Sequence, residues 1–430
     1  MPASFMTTTS TLKRKNLSGS LIAVLVLLGI SVFINYIDRG NLSIAAPLLK
    51  DELKIAPAQL GLLLSAFFWT YACLQPLYGW LVDRFSVYWM LAAGYCLWSL
   101  ATAVTGFVHV FAALFVLRLI VGIGEAVSFP AYSKIIALNY PEEHRGLANA
   151  VIAAGLTIGP GFGMLLGGTL MARFGWRPFF IVLGFASMAW LPAWIKWMPR
   201  TNVVPPANSA SAPSLWEFVC LRSAWGTCIG VFCGNYLSYF MLTWLPYYLV
   251  NEQHFSMPTM AKIGGAGYLL SAACATISGP LSDAWIRSGA TPTLVRKTFS
   301  GVGIAMAGIF VGLCSIAPSQ HLCVGLLWVG MSCFGISSSN VWAISQTLAG
   351  PQAAGRWVGF QNCIANMAGV VVPIITGFVL ARTGHFYWAF AIVTAVTLTG
   401  SMAWFFLVGR VEQVTWGNHP LRLLAKAAAE

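Results

Sequence analysis

Apolar residues run along this chain in long unbroken stretches, each closed by a short polar interruption. Stretches near 21–47, 60–82, 88–108, 110–138, 147–172 and 176–197 are followed by six more near 221–250, 260–282, 297–317, 320–348, 356–382 and 385–409. About 20 residues of helix cross a hydrocarbon layer of about 30 Å, so the pattern predicts twelve transmembrane helices. The runs do not alternate every second residue, which excludes a transmembrane barrel. The stretch from Pro199 to Pro213, with Pro205, Pro206 and a Ser/Ala/Asn run, reads as the single linker. The expected organisation is an all-α membrane fold with a tail at 1–20, a six-helix bundle at 21–197, a linker at 198–220, a second bundle at 221–409 and a tail at 410–430.

The two halves echo each other. Asn35-Tyr36 recurs as Asn235-Tyr236, and Gly79, Leu81 and Asp83 recur as Gly279, Leu281 and Asp283, all offset by 200. Ala172-Arg173-x-Gly175 recurs as Ala381-Arg382-x-Gly384, offset by 209. The common order and near-constant offset predict a duplicated six-helix unit, an architecture used by secondary transporters.

Composition narrows the class. Charged residues make up 8% of the 430, against about 25% in soluble proteins, which excludes an ordinary soluble enzyme. The net charge of +12 comes from basic residues scattered singly between apolar runs, so it speaks for topology and not for a nucleic-acid partner. With a cytoplasmic N-terminus, sixteen of the 24 basic residues fall inside and six outside, namely Lys50, Lys54, Arg173, Arg177, Lys262 and Arg382. Both termini are therefore expected in the cytoplasm, with the protein in the inner membrane. The ten cysteines lack metal-ligand spacing and read as small hydrophobes. All six histidines are expected in loops or the tail, and no phosphate-binding Gly-x-x-x-x-Gly-Lys-Ser/Thr occurs. No cofactor is expected, ATP is not the expected energy source, and no cleavable signal is evident.

Four charges remain at membrane depth, Asp38, Arg39, Arg118 and Glu125, all in the N-terminal half. Each ionised side chain at mid-bilayer costs about 2.5–3.5 kcal/mol or more, so an unused set would be expensive. Arg118 and Glu125 are seven positions apart and share one helix face, with Gly122 and Gly124 thinning the helix between them for a neighbouring helix or a ligand. Asp38 and Arg39 point about 100° apart, so one can meet the fourth helix while the other faces a central cavity. One reading is two ion pairs that pin helices together. The other is proton coupling, since a poorly solvated carboxyl with a movable cation partner can titrate within the physiological range. The C-terminal half offers neutral polar groups at depth, among them Asn235, Ser337 to Asn340, Gln346, Gln361, Asn362 and Asn366, for hydroxyl recognition or for interhelical hydrogen bonding. Tryptophans such as Trp342 read as packing or interface anchors.

Two six-helix halves, with Gly79-x-x-x-Asp83-Arg84 after the second helix and its partner at Gly279 to Asp283, resemble the major facilitator superfamily. Ser86 and Tyr88 stand where glycine and a basic residue are common in that motif. By the resemblance, Asp83, Arg84 and Asp283 belong to a cytoplasmic gate. Asn35-Tyr36-Ile37-Asp38-Arg39-Gly40-Asn41-Leu42-Ser43, Arg118-x6-Glu125-Ala126-x-x-Phe129-Pro130 and Tyr239-Phe240-x-x-Thr243-Trp244-x-Pro246 resemble the anion:cation symporter family within it, which includes hexonate, glucarate and hexuronate proton symporters. The resemblance implies that Arg39 holds a substrate carboxylate, that Asp38 and Glu125 carry protons and that Arg118 pairs with an acid in the empty state. It also implies that Tyr36, Tyr71, Asn235 and Asn366 contact the sugar acid. Family members often carry glutamine in an Asn-Ser-Ala-Gln stretch of helix five, where this chain reads Ala153-Ala154-Gly155-Leu156.

The expectation is thus a transporter without enzymatic activity, working as a monomer in the lipid bilayer. Its cargo would be protons and a small organic anion bound by Arg39, whose planar fork suits a carboxylate, with Asn340, Asn362 and Asn366 opposite. Another carboxylate such as an aromatic acid or a dicarboxylate, sodium coupling, and a non-transporting receptor are the alternatives.

Overall fold

The computed structural model describes residues 18–140, 142–199 and 215–416; most of the expected linker and both tails lie outside that range. Twelve helices are long and apolar enough to cross a membrane: α1 (Gly19–Leu53), α2 (Pro57–Val82), α3 (Val87–Thr105), α4 (Phe111–Asn139), α5 (Leu147–Phe174), α6 (Trp176–Trp197), α7 (Arg222–Glu252), α8 (Met257–Arg287), α9 (Pro292–Ile316), α10 (Gln320–Gly350), α11 (Arg356–Thr383) and α12 (Tyr387–Leu407). They match the twelve predicted stretches. α1 continues past the predicted end at 47, with Pro47 inside the helix, and the chain turns only at Lys54, which is left-handed at φ 49°.

Helix starts follow local chemistry. Ser18, Ser256, Thr291 and Ser319 each accept a hydrogen bond from a backbone N–H of the first turn, satisfying donors a helix start leaves open. Pro57 and Pro292 occupy first-turn positions where a missing N–H costs nothing. At the other end, Gly175 after α5 and Gly384 after α11 have φ of 84° and 74°. These are the last glycines of the two segments that repeat with offset 209; both take positive φ, but ψ is 166° at Gly175 and −6° at Gly384. His144 and His321, expected in loops, lie instead in the first turns of helices.

Packing is uneven along the membrane normal, and that places the site. Near the face opposite the start of α1 and the end of α12, apolar residues of both halves form one core, with Leu42, Leu60 and Met164 from the first joined to Tyr236, Met241 and Met260 from the second. Small residues make two tight seams there. A side-chain carbon added at Gly168 on α5 would stand 2.6 Å from Cβ of Ala261 on α8, and one at Gly377 on α11 would stand 2.7 Å from the Pro57 carbonyl on α2. Towards the other face, carbons added at Gly79, Gly279 or Gly359 would meet nothing within 4 Å. There the apolar core divides into a first-half cluster around Trp98 and Trp194 and a second-half cluster around Trp357 and Trp404. The two bundles are therefore closed together at one face and parted at the face bearing the start of α1 and the end of α12.

On the closed face of the first half, Arg177 ties three connections together. Its Nη2 donates to Glu52 Oε1 at 2.7 Å, and Nη1 donates to the carbonyls of Gly106 at 3.2 Å and Val108 at 2.7 Å. Trp176 Nε1 donates to the other Glu52 oxygen at 2.6 Å.

Candidate functional site

A cavity of about 390 Å³ lies between the bundles. The first half supplies Tyr36 and Arg39 from α1, Tyr71 from α2, Phe129 from α4, and Leu156, Thr157 and Pro160 from α5; the second supplies Asn235, Ser238 and Tyr239 from α7, Tyr268 and Ser271 from α8, Phe334, Ser338 and Trp342 from α10, and Asn362 and Asn366 from α11. Of these, only Arg39 is charged.

Tyr36 and Arg39 are three residues apart and so share one face of α1. The Arg39 guanidinium carbon lies 4.6 Å from the ring centre of Tyr36, 4.3 Å from that of Tyr71 and 5.3 Å from that of Phe67, within cation–π range. Its Nε donates to Glu125 Oε2 at 3.0 Å, and Nη1 donates to the Tyr36 hydroxyl at 3.5 Å. Arg39 Nη2 and Glu125 Oε1 are buried without a protein partner among the described residues. Arg39 is thus both a wall of the cavity and the partner of a fully buried carboxylate behind it.

Glu125 closes the first regular stretch of α4. The helical hydrogen bonding loosens at Ala126 and Val127, both still in the right-handed helical region, before the regular helix continues from Ser128. Gly122 packs against Phe67 and Thr70 of α2, and Gly124 against Gly94 and Trp98 of α3. The glycines thus admit neighbouring helices and no ligand. Thr70 reinforces the first contact by donating to the Leu119 carbonyl at 2.8 Å.

The other two membrane charges stand back from the cavity. Asp38 is 1% exposed; its Oδ1 accepts from Asn41 Nδ2 at 3.2 Å while Oδ2 has no protein partner among the described residues. Arg118 is 4% exposed, with its guanidinium carbon 5.7 Å from the Phe67 ring centre. Among the described residues no carboxylate lies within the 4.0 Å of an ion pair from Arg118. Glu125, on the same helix as Arg118, is bonded to Arg39. The Phe67 ring contacts both guanidinium groups.

The polar residues of the second half divide between the two readings open in sequence. Asn235, Ser338, Asn362 and Asn366 line the cavity. Ser337 donates to the Ser300 carbonyl at 2.9 Å, Ser345 donates to Gln361 at 2.7 Å, and Asn340 donates to Ser278 at 3.5 Å and Ser339 at 3.3 Å. Asn340 is absent from the cavity wall and 2% exposed; it knits helices. Trp342, read as an anchor, is in the wall. So are Tyr239, Tyr268 and Ser271, which sequence reasoning did not single out as site residues, although Tyr239 stood in a quoted motif. Tyr239 donates to Asn366 Oδ1 at 2.6 Å, joining α7 to α11 across the cavity wall.

The expected gate residues sit at the parted face. Arg84 is exposed with its guanidinium 5.0 Å from the Trp80 ring centre, and Asp283 is exposed. The Asp83 side chain lies outside the described residues.

The model of the Major Facilitator Superfamily matches residues 28–373. The chain belongs to that superfamily. It is accordingly a multi-pass membrane transporter and not an enzyme. Among curated proteins it is similar to the probable sulfoacetate transporter of Cupriavidus necator, 29% identical with 87% of this chain and 91% of that one covered. It is also similar to the probable galactarate/D-glucarate transporter of Escherichia coli K12, 28% identical over 91% and 95%, and to the hexuronate transporter of Bacillus subtilis, 26% identical over 88% and 93%. These relatives agree with the likeness to the anion:cation symporter family read from α1 and α4. Among solved structures, a bacterial homolog of the human lysosomal transporter Spinster, in an inward-facing and unoccupied conformation, shares the fold at a TM-score of 0.74 and 18% identity, with 91% of this chain and 96% of that one covered.

Proposed function

We propose that this transporter is a proton-coupled symporter that takes up a small organic anion of the sugar-acid kind across the inner membrane by alternating access. One observation carries the reading: the single charge in the cavity wall, Arg39, is also hydrogen-bonded to the buried acid Glu125. A substrate carboxylate on Arg39 competes with Glu125 for the same guanidinium. Protonation of Glu125 removes the competitor and frees Arg39 for bidentate recognition, so proton and anion enter together. Asp38, with one carboxylate oxygen unpartnered beside Arg118's helix, is the second proton carrier. Release of both at the cytoplasmic side returns Glu125 to Arg39. The relatives named for galactarate, glucarate, hexuronate and sulfoacetate support an anionic cargo.

Sixteen basic residues against six assign the parted face to the cytoplasm. Asp83, Arg84 and Asp283 then stand where the bundles must meet when the other face opens, and act as the gate. A monomer suffices, because the cavity is complete within one chain.

The test is transport of gluconate in proteoliposomes with an imposed pH gradient. Glu125→Gln loses gradient-driven accumulation and keeps exchange of labelled for unlabelled substrate. Undiminished accumulation in both Glu125→Gln and Asp38→Asn refutes proton coupling through these acids.

A further inference from the structure

Two residues of the cavity wall, one in each half, carry a fully buried polar group without a protein partner among the described residues. The groups are Arg39 Nη2 on α1 and the Tyr268 hydroxyl on α8. Buried polar groups are ordinarily paired. Others in the wall are: Tyr239 donates to Asn366, Asn366 Nδ2 donates to the Asn362 carbonyl at 2.9 Å, and Ser338 donates to the Gly335 carbonyl at 2.9 Å. The tight α5–α8 seam holds Tyr268 in place, since a carbon added at Gly161 would lie 3.1 Å from its Cβ.

Among the described residues, no cation of the second half belongs to the cavity wall. Arg296 donates to the Ala343 carbonyl and to Thr347, Lys297 to the Phe405 carbonyl and Arg222 to the Phe406 carbonyl, and Lys262 lines a separate apolar groove with Phe255 and Trp328. A ligand whose anionic group sits on Arg39 therefore presents its other end to Tyr268, Trp342 and Phe334, with no positive charge to receive it. A second carboxylate there would be buried without a partner, which is strongly unfavourable, whereas a hydroxyl or carbonyl would satisfy Tyr268.

We propose that the cavity selects monoanions, holding one carboxylate on Arg39 and a neutral hydrogen-bonding end on Tyr268, and rejects dicarboxylates. This rests on the carboxylate reading of Arg39 above and separates this chain from its relatives named for galactarate and glucarate, both diacids.

The experiment measures ligand-induced thermal stabilisation of the purified full-length protein with two matched pairs, gluconate against glucarate and 4-hydroxybenzoate against terephthalate. In at least one pair the monoanion half-saturates at about 100-fold lower concentration than its dianion, in keeping with an unpaired buried charge. Tyr268→Phe weakens the monoanion about tenfold, the scale of one lost hydrogen bond, and leaves the midpoint of the unliganded protein in place. Equal or tighter binding of the dianions overturns the selectivity while leaving the organic-anion reading intact. Binding by none of the four overturns both. A third arm guards against misfolding of the tyrosine variant: Ser338→Arg, which adds a cation to the second half, moves preference towards the dianion. An unchanged preference in that variant, with the protein still binding the monoanion, contradicts the charge argument.

Discussion

Arg39 serves two partners with one guanidinium, and its shape matters as much as its charge. The group is planar, sits against the rings of Tyr36 and Tyr71, and spends Nε on Glu125 and Nη1 on the Tyr36 hydroxyl, leaving Nη2 without a protein partner among the described residues. A lysine keeps the charge but supplies neither the fork nor the flat face. Arg39→Lys is therefore expected to weaken anion binding by about 10- to 100-fold, measured by thermal shift with gluconate, with little change in the stability of the unliganded protein. The sequence brought Asp38, Arg39, Arg118 and Glu125 forward correctly, because a charge within an apolar run is conspicuous. It left the pairing open, because a seven-residue spacing tells which residues share a helix face and says nothing of which neighbouring helix that face meets. Trp342 and Tyr268 were illegible for a related reason. Aromatic residues abound on every face of these helices, and the rotation that turns one of them into the cavity is set by packing against other helices.

At the scale of elements, the hydropathy pattern located all twelve helices because a bilayer imposes length and apolarity on each of them. The loosening after Glu125 has a sequence signal that hydropathy does not weigh, Pro130, which has no N–H for the Ala126 carbonyl one turn earlier. The glycine seams were hidden, since a glycine in an apolar helix reads the same whether it meets lipid or backbone. Their mechanical weight can be tested. At Gly61 on α2 an added carbon would press on the Pro373 carbonyl and lie 3.2 Å from the Cα of Gly377 on α11. Gly61→Val should therefore force α2 and α11 apart at the closed face and favour the state open there. A cysteine at Phe68, which packs on Gly369 in the same seam, would become several-fold more reactive to a membrane-impermeant thiol reagent in the Gly61→Val background; equal reactivity counts against the seam as a gate.

For the molecule as a whole, the four membrane charges sum to zero when all are ionised, and a proton on Glu125 compensates one bound carboxylate. Linkage fixes the sign: the anion-bound state holds more protons than the empty one, so affinity rises as pH falls, by at most about tenfold per pH unit for each proton taken up. Measured with gluconate from pH 5 to pH 8, the wild-type half-saturation constant should climb with pH. In Glu125→Gln the profile should flatten, and an unaltered slope would place the linked proton elsewhere.

The paired glycines after α5 and α11, both with positive φ at equivalent points of the two halves, fit a chain made by copying one ancestral unit. The copies have since specialised. The first half carries Asp38, Arg39, Arg118 and Glu125, and so both the proposed proton carriers and the anion-binding arginine, while the second faces the cavity with neutral side chains. The second half is then free to drift toward new ligands by exchanging neutral side chains, while the machinery that draws on the proton gradient stays untouched in the first.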